Sequence, residues 1–171
     1  MARSSHRSAE IEAFMRDVSP RLFRAALLVC GDWHLAEDLV QTTLGKAFVS
    51  WGRVRKADSP HAYVRTILMR TYLSHVRLHR TAYEKPVSEL PEQSASATDD
   101  PALRLALAQA LVQLSPQDRA VVVLRYWEDR SVVQTAAELG LSAGNVRIRS
   151  MRALSTLRTS LGGEHDVLAG R

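Results

Sequence analysis

The chain has 171 residues, 46% hydrophobic and 24% charged, which fits one ordinary globular domain or two small ones and excludes global disorder. Aromatics are only 6%, with eight glycines and six prolines, so many-turned β folds are disfavoured and an all-α fold is expected. The net charge of +5 fits an anionic partner, and the single cysteine, Cys30, excludes an internal disulfide and Cys-rich zinc sites.

The breakers divide the chain into helices near 9–18, 20–30, 33–51, 60–80, 102–114, 116–128, 132–139 and 143–160. Residues 1–8 precede them as a flexible N-terminus, followed by acids rather than an apolar block, so no secretory signal is expected. Ser19-Pro20, Ser59-Pro60 and Ser115-Pro116 each pair a capping residue with a proline at the first helical position, where a missing N–H is harmless. Gly31, Gly52 and Gly140 follow apolar-periodic stretches, as helix-stopping glycines do. The longest apolar run, Ala25–Cys30, falls far short of the ~20 residues that cross a bilayer. No membrane insertion is expected, and a reducing cytoplasm is the expected location. Val121–Leu124 looks strand-like, but it follows the helix start Ser115-Pro116-Gln117-Asp118 and reads as buried helix.

Charge is distributed unevenly. Lys46 to Lys85 holds nine basic and two acidic residues. The segment Pro86–Pro101, PVSELPEQSASATDDP, holds three prolines and four acids and reads as an acidic linker. A long surface loop within one domain is the other reading of it. Asn145 to Arg158 has four arginines and no acid. Two basic helical domains, 9–85 and 102–161, are therefore expected on an acidic tether, with a flexible tail at 162–171.

In the second domain, Ser131-Val132-Val133-Gln134 is a capping box. A short amphipathic helix follows, then the turn Gly140-Leu141-Ser142, then a basic helix from Ala143. This is a helix-turn-helix pattern, whose second helix enters the DNA major groove. Ser142, Asn145, Arg147, Ile148, Arg149 and Arg152 are its candidate contacts; arginines there can reach phosphate or guanine. An arginine-rich solvated helix in an αα-hairpin fits the same pattern.

In the first domain, Leu35, Leu39, Val40, Leu44, Ala47, Phe48 and Trp51 form an apolar stripe on the 33–51 helix. His34, Glu37, Asp38, Gln41 and Thr42 form a different face, read as solvated residues or a polar docking surface. Along the next helix, arginines alternate with Tyr63, Tyr72, His75, His79 and Tyr83. Planar rings beside cations suit single-stranded nucleic acid; core tyrosines with solvated arginines are equally compatible. No catalytic constellation, phosphate loop or metal site emerges, so neither an enzyme nor a cofactor is expected.

Together, the opening Ala36-Glu37-Asp38-Leu39-Val40-Gln41, the segment PHAYVRTILMRTYLSHVRLHR and the segment LSPQDRAVVVLRYWEDRSVVQTAAELGLSAGNVRIRSMRALSTLR resemble bacterial RNA polymerase sigma factors. The likeness is to the compact extracytoplasmic-function (ECF), sigma-E-like group, in this order over 9–85 and 102–158. It implies a region 2-like bundle and a region 4-like helix-turn-helix. It further implies a dissociable subunit that docks on core RNA polymerase through His34, Glu37, Asp38, Gln41 and Thr42. The resemblance assigns melting and capture of the −10 non-template single strand to Arg65, Arg70, Tyr72, His75, Arg77 and Arg80. It assigns duplex reading at −35 to Ser142, Asn145, Arg147, Ile148, Arg149 and Arg152, and it adds an anti-sigma protein as a candidate partner. Arg70 stands where many relatives have Asn, and Arg147-Ile148-Arg149-Ser150 exchanges the usual residue types. A stand-alone helix-turn-helix regulator is the alternative, and it leaves 32–85 unexplained.

Overall fold

The computed structural model describes the backbone of residues 2–79 and 101–169. The linker reading and the candidates Arg80 and Tyr83 lie outside, apart from Pro101 at the linker's end. Among the described residues all regular structure is helical: α1 Ala2–Cys30, α2 Trp33–Val49, α3 Trp51–Val54, α4 Pro60–Leu78, α5 Pro101–Val112, α6 Pro116–Val122, α7 Val132–Leu139 and α8 Ala143–Ala169.

Local chemistry sets most boundaries. Asp32 caps α2 by accepting the N–H of Leu35, and Ser59 caps α4 by accepting that of Ala62. Ser115 caps α6 through Asp118, and Ser131 and Gln134 complete the capping box of α7. Gly31 and Gly140 end α1 and α7 at φ 67° and 66°, a left-handed conformation that disfavours residues with a Cβ.

Three expectations are corrected. Pro20 does not start a helix; it lies inside α1. A proline there forfeits one backbone hydrogen bond, but Val18 and Leu22 on either side are buried in the core, so packing holds the helix together. Gly52 stops nothing, because α3 begins at Trp51 directly after the Ser50 turn. Both end helices run further than expected, since α1 begins at Ala2 rather than near 9 and α8 continues to Ala169 rather than ending near 160.

The main core joins α1, α2, α3 and α4 through residues such as Leu22, Val29, Leu39, Trp51, Leu68 and Tyr72. Ala120, Val123 and Leu124, from the second half of the chain, belong to this same core. Smaller clusters tie α5 and α6 to α8 (Leu111, Leu114, Val122, Ala153, Leu157) and α6 and α7 to α8 (Val121, Ala136, Val146). The two halves therefore share apolar core.

Two features make that possible. The helix of α6 widens into a π turn at Val123–Trp127, which shifts the helical phase. Glu128 donates its N–H to Val123, Asp129 turns left-handed at φ 51°, and the Glu128 side chain is buried. The second feature is Arg119. Its buried guanidinium donates to the carbonyl of Val29 at 2.7 Å and to those of Val112 and Leu114 at 3.1 Å. The ends of α1 and α5 thereby receive donors for carbonyls that the helices cannot satisfy themselves.

Arg119→Ala should lower the unfolding free energy by about 3 kcal/mol in urea denaturation, because it strips the donor from the buried carbonyls of Val29 and Leu114 and from the half-buried one of Val112. Arg119→Lys should recover little of this, since a single ammonium cannot replace a forked donor.

Candidate functional site

The face of α2 opposite its buried residues Ala36, Leu39, Val40, Thr43 and Ala47 carries His34, Glu37, Asp38, Gln41 and Thr42. All five are exposed, at spacings that place them on a single stripe. His34 lies 3.7 Å from Glu37. The stripe ends in Phe48 and Val49, 60% and 87% exposed. Sequence periodicity put Phe48 in the core. The fold instead seats Ala47 and Trp51 there and turns Phe48 outward, making an apolar end to a polar face.

On α8, Ser142 accepts the N–H of Asn145, and Asn145 Oδ1 accepts from Arg149 Nε at 2.7 Å. Val146, Ser150, Ala153 and Leu157 turn inward. Arg147, Ile148 and Met151 turn outward. Met151, 73% exposed, was missed; its position three residues after Ile148 was the available signal. Arg149 and Arg152 are partly engaged by buried Asp118 on α6, at 2.6 and 2.7 Å. Burial raises the Asp118 pKa, but hydrogen bonds from Arg149, Arg152 and Ser115 and the Arg152 charge outweigh it, leaving it below its ordinary value.

On α4, Arg70 and Arg77 are exposed and His75 is half-buried. His75 and His79 stack with ring centroids 4.2 Å apart. Desolvation first, and then the His79 charge, hold the His75 pKa below its ordinary 6.5, so near neutral pH it offers a flat uncharged ring. Two expected −10 contacts are not surface groups in this arrangement. Tyr72 is 1% exposed, because α4 is covered by α1 and α2 on one side and by α6 and α7 on another. Arg65 is 8% exposed and lies between two carboxylates of the second half. Its Nη1 donates to Glu128 at 3.1 Å, and its Nη2 and Nε donate to Glu138 at 2.9 and 3.3 Å. Arg130 also binds Glu138 at 2.9 Å, and Arg21 lies 3.5 Å from Glu128. Sequence reading singled out neither glutamate, since nothing along the chain marks an acid as buried.

A cleft of about 1100 Å³ separates these faces, lined by Lys46, Arg70, Arg77, Arg149 and Arg152 together with Ser74 and Gln117. Candidates from the two halves thus border a single cationic opening. Cys30 is no reactive group: burial pushes its thiol up to about 11.

This architecture, an α2–α4 bundle with an outward polar stripe followed by a capped helix-turn-helix, is that of a two-region transcription factor of the sigma class. Family profiles for Sigma-70 region 2 and Sigma-70, region 4 match residues 14–81 and 110–159. The RNA polymerase sigma-E factor of Streptomyces coelicolor is 37% identical over 153 residues, covering 89% of this chain and 86% of that protein. The ECF RNA polymerase sigma factor SigL of Mycobacterium tuberculosis is 34% identical over 94% of this chain and 96% of that protein. The chain belongs to the sigma-70 family of RNA polymerase sigma factors, in its ECF branch. A solved structure of the sigma factor RpoE from Bartonella quintana, in complex with the anti-sigma factor NepR, superposes with a TM-score of 0.74 at 26% identity. It covers 90% of this chain and 97% of that one.

Asp118 makes stability depend on acid. Its contribution is fully present above the ordinary value of 3.8 and is lost as pH falls through the lower folded pKa. Wild type should therefore lose stability more steeply below about pH 4 than Asp118→Asn; parallel pH profiles in thermal melts would refute this.

Proposed function

We propose that this sigma factor docks on core RNA polymerase through the outward stripe of α2, with His34, Glu37, Asp38, Gln41 and Thr42 as polar contacts. Phe48 and Val49 extend that stripe as an apolar anchor, the kind of group that dominates binding energy when a partner desolvates it. It acts in the cytoplasm as a non-catalytic subunit. The observation that carries the reading of DNA is the outward face of α8. Behind the Ser142 cap it presents Arg147, Ile148 and Met151 on a helix held in register by its helix-turn-helix partner.

At −35, Arg147 suits the O6 and N7 edge of guanine, and Ile148 and Met151 suit thymine methyl groups. Ser142 and Asn145, at the positive end of α8, suit phosphate. Arg149 and Arg152 retain free N–H groups beside Asp118 and serve the flanking backbone. At −10, Arg70 and Arg77 track phosphates, and the neutral ring of His75 offers a stacking face for an extruded base. Capture of that base offsets the few kcal/mol lost on unpairing. Arg65 joins this set only where Glu128 and Glu138 have withdrawn, and Arg80 continues the basic series beyond α4. An anti-sigma partner fits the likeness to RpoE, whose solved form holds NepR.

Transcription reconstituted from purified core polymerase, this chain and genomic fragments tests the reading; initiation at defined start sites is expected, and none would refute it. Asp38→Arg should weaken polymerase binding at least tenfold while leaving circular dichroism unchanged, because the residue is exposed. Arg147→Ala should cost about 1–3 kcal/mol of −35 affinity, concentrated at one base pair. Footprinting across a panel of substituted promoters would reveal it.

A further inference from the structure

Arg149 and Arg152 stand three residues apart on α8, and so on one side of the helix. Val146, Ser150, Ala153 and Leu157 turn into the core, which fixes the rotation of α8 and brings both arginines to its edge with α6. There they meet Asp118. Its side chain is buried, and its place is set locally. Ser115 Oγ accepts the Asp118 N–H at the start of α6, and Ala120, Val121 and Val122 anchor that helix in the core.

The contacts are directional. Arg152 lays one edge, Nε and Nη2, along the carboxylate at 3.1, 2.8 and 2.7 Å. Arg149 reaches the same carboxylate through Nη1 at 2.6 Å, and its Nε donates to Asn145 Oδ1 at 2.7 Å. A guanidinium carries five N–H groups. Among the described residues no protein acceptor meets Arg149 Nη2 or Arg152 Nη1, and the Arg152 side chain is 57% exposed. Each arginine is therefore held by one edge and keeps another for a phosphate.

Two consequences for DNA binding follow. Asp118 cancels one of the two positive charges, which weakens attraction to any duplex whatever its sequence. It also restrains two long side chains, so that their phosphate contacts form at one placement of the helix along the backbone. Unrestrained arginines would meet phosphates at many placements.

We infer that Asp118 is a positioning residue for promoter discrimination: by clamping Arg149 and Arg152 it fixes the register in which α8 enters the groove and lowers affinity for all other DNA. This rests on the promoter reading above. An acid that merely repelled DNA would, when removed, strengthen binding to every sequence alike, so its removal separates the two roles.

The test compares two fragments bound by the holoenzyme. One is a promoter found by the reconstituted transcription described above, and the other is the same fragment with its −35 segment scrambled. Asp118→Asn should lower the ratio of the two affinities about tenfold, the effect of losing one charge-assisted hydrogen bond. For the scrambled fragment, the fall of log affinity with log salt should steepen by about 0.9, one further counterion released; a purely structural role would leave that slope unmoved. An unchanged ratio overturns the inference, including one in which both affinities rise together. If Asp118→Asn fails to fold, Arg152→Lys decides, because it keeps the charge but not the forked edge that Asp118 holds. It should lose discrimination with its salt dependence unaltered, and full discrimination by this variant likewise overturns the clamp. A holoenzyme that initiates at no defined start refutes the promoter reading and the inference with it. Defined starts with an unchanged ratio refute the inference alone.

Discussion

Residues 102–162 contain four carboxylates, Asp118, Glu128, Asp129 and Glu138, and three of them are buried: all but Asp129. A carboxylate taken out of water loses several kcal/mol of hydration unless cations and donors replace the solvent. Each buried acid therefore fixes where arginines must lie. Asp118 draws Arg149 and Arg152 to the base of α8, while Glu128 and Glu138 draw Arg65 and Arg130 to the seam between the halves. The arrangement of helices follows from this requirement as much as from apolar burial. It also makes the acids poor candidates for removal one at a time, since a stranded partner costs more than the pair contributes.

The same chemistry connects stability to function. A guanidinium meets carboxylate and phosphate through the same planar fork, so a protein that binds DNA through arginines must decide which of them its own acids hold. Here the division is spatial. Arg147 and Arg77 are exposed, Arg149 and Arg152 are shared, and Arg65 is fully engaged inside the protein. Shared arginines lose less rotamer freedom on binding because a carboxylate already orients them.

The two classes of outward face differ in character. The α2 stripe runs from charged residues to Phe48 and Val49, the pattern of a protein-binding surface with an apolar anchor. The α8 face mixes Arg147 with Ile148 and Met151, which suits a groove lined by acceptors and methyl groups. The Bartonella sigma factor shares the fold across nine-tenths of this chain at 26% identity. The fold thus tolerates wide substitution.

Much of this was legible in the amino-acid order alone. Caps at Asp32, Ser59, Ser115, Ser131 and Ser142 are short-range hydrogen bonds between residues three apart, so sequence spacing suffices to find them. The helix-turn-helix and the exposed polar stripe of α2 follow from such local signals and from period, and the region 2 and region 4 organisation from the likeness to sigma factors. Pro20 and Gly52 were misread because the local rule was outweighed by packing on distant helices. Tyr72, Phe48, Glu128 and Glu138 could not be placed either, since a residue on a helix faces core or solvent according to what lies against it. Pattern within one helix cannot reveal that α4 is covered on two sides, nor that a π turn carries Glu128 to Arg65, 63 positions away. Local order decided the elements and their exposed stripes; only the three-dimensional arrangement decided which charges meet, because electrostatic pairing depends on distance in space and not along the chain.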